Sequence, residues 1–268
     1  MRASNELQAL IARIAPYWGA EAEVIRTYFD GPARSRALDL DWIGRQCRKE
    51  FWDSFDGHQG GLFDGPMKRL VEASAAERID RGFDRHEVLD LAEGAFQEFA
   101  HYVAFADAYD AIRAEGDPPI DPYRLRDLAS WPENDALSDL RARHRVEHGA
   151  LGPRASRLTE GGYCGLFSEG MRLKGRSPAD DAIAHACALV YDDEFDHMLK
   201  GIAGLDRAGL ARGDWQVLGG LAVDQMKLRL AMRNAQFGRA VAENRLAEIA
   251  AGAGTPVAFD WKRAGFDG

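Results

Sequence analysis

Residues 193–197 read Asp-Glu-Phe-Asp-His, and residues 97–101 read Gln-Glu-Phe-Ala-His. Glu-Phe-x-His therefore occurs twice, each time in a segment dominated by good helix formers. On a helix, positions i and i+3 share a face, so Glu98 points with His101 and Glu194 with His197. A carboxylate and an imidazole on one face, made twice, is a donor set for a pair of transition-metal ions.

The spacing around the two motifs repeats as well. Thirty-four residues before Glu98 stands Asp64, in Leu-Phe-Asp-Gly, and thirty-four before Glu194 stands Glu160, in Leu-Thr-Glu-Gly. Two antiparallel helices joined by a short turn bring residues equidistant from the turn side by side. The midpoint of 64 and 98 is 81, in Asp80-Arg81-Gly82, and the midpoint of 160 and 194 is Ser177. Each hairpin then sets one acid opposite one Glu-x-x-His. Two facing hairpins supply four carboxylates and two imidazoles, the ligand set of a di-iron or iron/manganese site in a four-helix bundle.

The remainder of the chain agrees with an all-α fold. Alternating Val/Ile/Thr runs are scarce, and helices are expected near 4–15, 19–29, 39–56, 64–79, 85–114, 133–149, 156–174, 178–202 and 214–250. Gly and Pro punctuate these segments at Gly31-Pro32, Gly57 to Gly61, Gly116 to Pro122 and Gly152-Pro153. Ser177-Pro178 is a helix start, with Ser as N-cap and Pro in the first turn. Ala182, Ile183, Ala184, Ala186, Cys187, Ala188, Leu189 and Val190 leave helix 178–202 apolar nearly all round, which predicts a buried central helix. With no low-complexity linker, residues 1–268 are expected to form a single all-α domain.

Composition narrows the class. Hydrophobic residues make up 46% and charged residues 29%, ordinary for a globular protein. No apolar run approaches a bilayer span, and Met1 to Leu10 lacks a signal-peptide core, so neither a membrane nor export is expected. Three widely spaced cysteines suit a reducing, cytoplasmic setting. The net charge of −9 argues against a nucleic-acid partner.

The ligand pattern resembles the ferritin-like di-iron carboxylate superfamily, over about residues 62–202. The resemblance implies a four-helix core there, with additional helices over about 1–60 and 205–250. It implies two iron ions, or an iron/manganese pair, held by Asp64, Glu98, His101, Glu160, Glu194 and His197, with Glu98 and Glu194 bridging. Asp193 takes the place of the acid that orients a ligand histidine from outside the metal sphere, and Gln97 fills the matching place in the first motif. Cys164 takes the place that lines the oxygen pocket in the oxygenases, among Gly161, Gly162 and Gly165, which would leave room beside the metals. A reductase small subunit would carry a radical Tyr where this chain has Phe105, which leaves Tyr102, Tyr109 and Tyr163 as redox candidates.

The implied activity is a non-haem di-iron oxygenase or oxidase acting on a small organic substrate with dioxygen. A ferredoxin or flavin reductase would donate electrons, and a homodimer is compatible with the pattern. The alternatives are an iron-handling ferroxidase or peroxide scavenger and, against the charge balance, a tRNA hydroxylase.

Several residues carry a second reading. Asp64 precedes Gly65-Pro66 and could serve only as an N-cap, in which case Glu72 or Glu50 would take its place as ligand. Arg229 and Arg233 are expected on the polar side of an amphipathic helix rather than as a clamp for a substrate carboxylate. His144 and His148 are expected on a solvated face. Trp42, Phe51, Trp52, Phe55 and Phe63 are expected to pack a core, with an apolar tunnel as the alternative.

Overall fold

A computed structural model describes residues 2–53, 67–75, 78–127, 131–159, 163 and 165–267. Among these the backbone is helical and contains no strand; a single isolated bridge joins Ile79 and Phe83. The all-α expectation therefore holds. The chain forms two compact units, one from Met1–Leu38 and Ser130–Gly268, the other from Asp39–Ala129.

The first unit is built on α1 (Asn5–Phe29), capped by the Ser4 hydroxyl, which accepts from the Leu7 N–H at 3.2 Å. The pattern suggested two helices parted near Pro16, yet α1 runs through it. An interior Pro costs about 3 kcal/mol. The buried stripe Leu7, Leu10, Ile11, Ile14, Trp18, Val24 and Ile25 outweighs this, because each large apolar side chain contributes about 1.5–3 kcal/mol on full burial. The unit also contains α6 (Pro132–His148), α7 (Leu151–Arg157), α8 (Leu166–Met171), α9 (Pro178–Arg207) and α10 (Arg212–Gln236), of which α8 and α10 pack on α1. In place of the expected helix 156–174, α7 ends at Arg157 and α8 begins at Leu166. At Gly165 a Cβ would lie 2.6 Å from the Ala22 Cα, so the space that this glycine leaves is taken by α1.

At the expected hairpin turn, Ser177 caps α9, its hydroxyl accepting from the Asp180 N–H at 3.1 Å. Helix α9 buries Ile183, Ala184, Ala186, Cys187 and Val190, but Ala188 is exposed and Leu189 is 53% exposed. It has one open side, contrary to the expectation of burial all round.

Two further expectations change in this unit. Arg229 and Arg233 are not on a solvated face: both are buried and donate through Nε to the carboxylate of fully buried Glu21, at 2.8 and 2.7 Å. Three intervening residues place both guanidiniums on the side of α10 that faces α1, where Glu21 supplies a counter-charge. His144 is also buried, its Nδ1 paired with the Gln225 amide at 3.1 Å, while Gln225 accepts from Thr159 at 3.1 Å. Burial, reinforced by the neighbouring His148, lowers the pKa of His144.

Burial alone would raise the Glu21 pKa, but the two guanidiniums reverse the effect and bring it down to about 2. Replacing Glu21 with Gln strands two buried cations, and urea unfolding should show a loss of about 3–5 kcal/mol. The carboxylate's contribution is complete above the unfolded pKa of about 4.3 and is lost as pH falls through the folded value. The stability difference between wild type and Glu21→Gln should therefore shrink steadily as pH is lowered through that window toward about 2.

The expected helix 214–250 breaks after Gln236, where Gly238 and Arg239 take φ of 64° and 59°. Phe237 is buried against Tyr28 and Phe29, and the Asn234 side chain holds Val241 N–H and C=O at 2.9 and 3.0 Å. The chain then reverses through α11 (Glu243–Glu248) and a π-helical turn, Ile249–Ala253, and runs back against α1. There the Val257 N–H donates to the Ala15 carbonyl at 3.2 Å, and a Cβ on Gly19 would overlap the Thr255 carbonyl oxygen. Gly19→Ala gains about 1 kcal/mol of helix propensity but overpacks this contact by about 1–3 kcal/mol. The expected outcome is faster proteolytic cleavage within residues 254–267 with helix content unchanged by circular dichroism.

The second unit contains α2 (Arg36–Arg48), which begins in the first, followed by a π-helical turn, Lys49–Asp53, then α3 (Lys68–Ala75), α4 (Arg85–Ile112) and α5 (Pro122–Asp127). The turn expected at Asp80-Arg81-Gly82 is present, with φ of 59° at Asp80 and 144° at Gly82. Asp84 caps α4, accepting from the His86 N–H at 2.8 Å. Trp42 of α2 is buried edge-on against Phe105 of α4, and its indole N–H donates to Asp39 at 3.0 Å.

Candidate metal centre

Helical spacing alone puts Glu98 and His101 on one face of α4. The third member comes from the π-helical turn, which lets α2 continue past Arg48 with a wider helical repeat and carries Glu50 inward. His101 is buried, and so is Glu50; the Glu98 side chain is partly open. His101 Nδ1 lies 3.9 Å from Glu50 Oε2 and 3.9 Å from Glu98 Oε2, and one donor atom from each residue falls within 4.8 Å of the others.

Those distances exceed a hydrogen bond and suit a shared ion. Two donors bound at about 2.0–2.2 Å can be separated by up to about 4.4 Å across a metal. Two carboxylates would neutralise a divalent charge, and imidazole nitrogen beside carboxylate oxygen favours iron, manganese or zinc over calcium or copper(I). Glu50 is itself held. The Gln46 amide, one turn earlier on α2, donates to Glu50 Oε1, leaving Oε2 toward His101. Cys47 is close by, but burial, assisted by the Glu50 charge, raises its pKa well above the usual thiol value, so it stays a thiol.

The other expected site residues are distributed as follows. Asp64, Glu160 and Cys164 lie outside the described residues, as do Gly161, Gly162, Phe55 and Phe63. Of the two residues considered in place of Asp64, Glu50 meets Glu98 and His101, while Glu72 is exposed on α3. Gln97 is half-buried on α4. Glu194, His197 and Asp193 are half-buried on α9, in the first unit. Between the two ligand candidates of α9, Phe195 is buried against Tyr191 and Tyr163, at ring-centroid separations of 5.2 and 4.9 Å. Tyr163 stacks on Trp18, and its hydroxyl accepts from the Asp260 N–H at 2.6 Å. Burial raises its pKa.

Gln46 was not anticipated. Its signal was the i,i+4 spacing to Glu50, which becomes meaningful only once Glu50 is known to face His101. Comparison with known protein families, with curated proteins and with solved structures finds no match for the chain.

Glu50→Ala and His101→Ala should each lower high-affinity binding of cobalt(II), followed by its visible absorption. Gln46→Met keeps every donor but frees Glu50 to rotate, and should weaken binding by about 10–100-fold.

Proposed function

We propose that the chain is a non-haem di-iron oxygenase or oxidase that uses dioxygen to oxidise a small organic substrate. The observation that carries this reading is the meeting of buried Glu50 and His101 with partly open Glu98, an imidazole and carboxylate donor set. The repeated sequence arms are the reason for assigning a second metal to Glu194 and His197.

Iron bound to these residues would supply dioxygen activation and the oxidising power. The chain's own residues do the rest. Glu50 and Glu98 bring negative charge that favours the divalent over the unbound state, and Gln46 fixes the direction of the Glu50 carboxylate. His101 would offer Nδ1, the ring nitrogen that lies 3.9 Å from a carboxylate oxygen of both Glu50 and Glu98. Phe51 and Phe105, both buried, keep water from the α4 face and lower the local dielectric. An external electron donor of the ferredoxin or flavin-reductase kind would complete monooxygenase turnover.

Elemental analysis after anaerobic iron reconstitution should approach two irons per chain, with Glu98→Ala and Glu194→Ala each lowering the content. Oxygen uptake by the ferrous protein should accelerate with its organic substrate. Normal iron content in both variants defeats the reading. Sustained ferrous oxidation with ferric mineral, indifferent to any organic compound, would assign the site to iron handling instead.

A further inference from the structure

Each of the three donor residues is followed in sequence by an aromatic residue: Phe51 after Glu50, Phe99 after Glu98, Tyr102 after His101. The rings meet. Phe51 lies 4.9 Å from Tyr102 between centroids, and Phe99 lies 5.9 Å from Tyr102. From Phe51 the contacts lead outward to Trp52 at 5.2 Å, and from Trp52 to Tyr123 at 6.4 Å. The Trp52 indole N–H donates to the Pro122 carbonyl at 2.6 Å, which ties the π-helical turn to α5 and holds the indole beside Tyr123.

This run is graded in exposure. Phe51 is 2% exposed, Trp52 and Tyr102 are half-buried, and Tyr123 is 63% exposed. Burial of apolar surface accounts for Phe51 and Phe105, but it does not account for a phenol left in water at the end of a contiguous chain of rings. Trp and Tyr are the side chains here that can give up and regain one electron, and they stand on both sides of Phe51.

We propose that Tyr102, Phe51, Trp52 and Tyr123 form an electron-entry path, by which small one-electron reductants, phenols or ascorbate, meeting Tyr123 support reduction of hydrogen peroxide at the metal held by Glu50, Glu98 and His101. This rests on the metal reading of that site. In each cycle two donor molecules lose one electron and one proton apiece. The O–O bond of one peroxide breaks, two O–H bonds form, and two waters leave. Tyr123 passes its electron inward and its proton to solvent, and takes both back from the donor.

The test uses the iron-loaded full chain and its Tyr123→Phe and Trp52→Phe variants, with iron content measured first in each. With peroxide and ascorbate, donor oxidation should fall about tenfold in both variants at equal iron content. With peroxide and no donor, peptide mass spectrometry of the wild type should find oxidation concentrated on Trp52 and Tyr123. Dityrosine-linked dimers should form and should be absent from Tyr123→Phe, whose exposed site leaves folding untouched. Equal donor oxidation in Tyr123→Phe and wild type, or oxidation marks with no excess on Trp52 and Tyr123, overturns the path while leaving the metal site standing. A wild-type chain that binds no iron overturns both.

Discussion

A carboxylate with no exposed surface, Glu21, set between Arg229 and Arg233, is the constraint around which the first unit is arranged. Burying three charges in a core is costly unless their geometry and hydrogen bonding are complete, and removing one partner leaves the others stranded. The pair of Nε donors meets both carboxylate oxygens, which sets the register of α10 on α1 far more narrowly than apolar packing would. With that register set, α10 ends where Phe237 enters the Tyr28 and Phe29 rings, and the chain can return along α1 to the contact beside Gly19.

The second unit solves a different problem. A donor set drawn from two helices requires side chains far apart in sequence to point at one place, and an α-helix offers only its own repeat. The π-helical turn at Lys49–Asp53 breaks that repeat just where Glu50 must turn inward. The same turn carries Phe51 into the interior and Trp52 onto Pro122, so donor set and aromatic chain share one backbone irregularity.

Glu98 with His101, the turn at Asp80 to Gly82, the cap at Ser177 and the helical character of nearly every segment could be read from residues within a turn or two of one another. Such features depend on the 3.6-residue repeat and on capping chemistry, both of which are local. Glu50 could be named only as one substitute among others, because nothing within reach along the chain marks it off from Glu72. Its selection depends on which helix packs against α4.

The sequence by itself determined the all-α class, the shared face of Glu98 and His101, the turn at Asp80 to Gly82 and the helix start at Ser177. Tertiary structure decided that α1 continues through Pro16, that Arg229 and Arg233 are interior, that helix 214–250 breaks at Gly238, and that Glu50 joins His101. The physical reason is one of range. A helical face is set by neighbouring residues, whereas burial of a charge or convergence of donors depends on groups that only folding brings together.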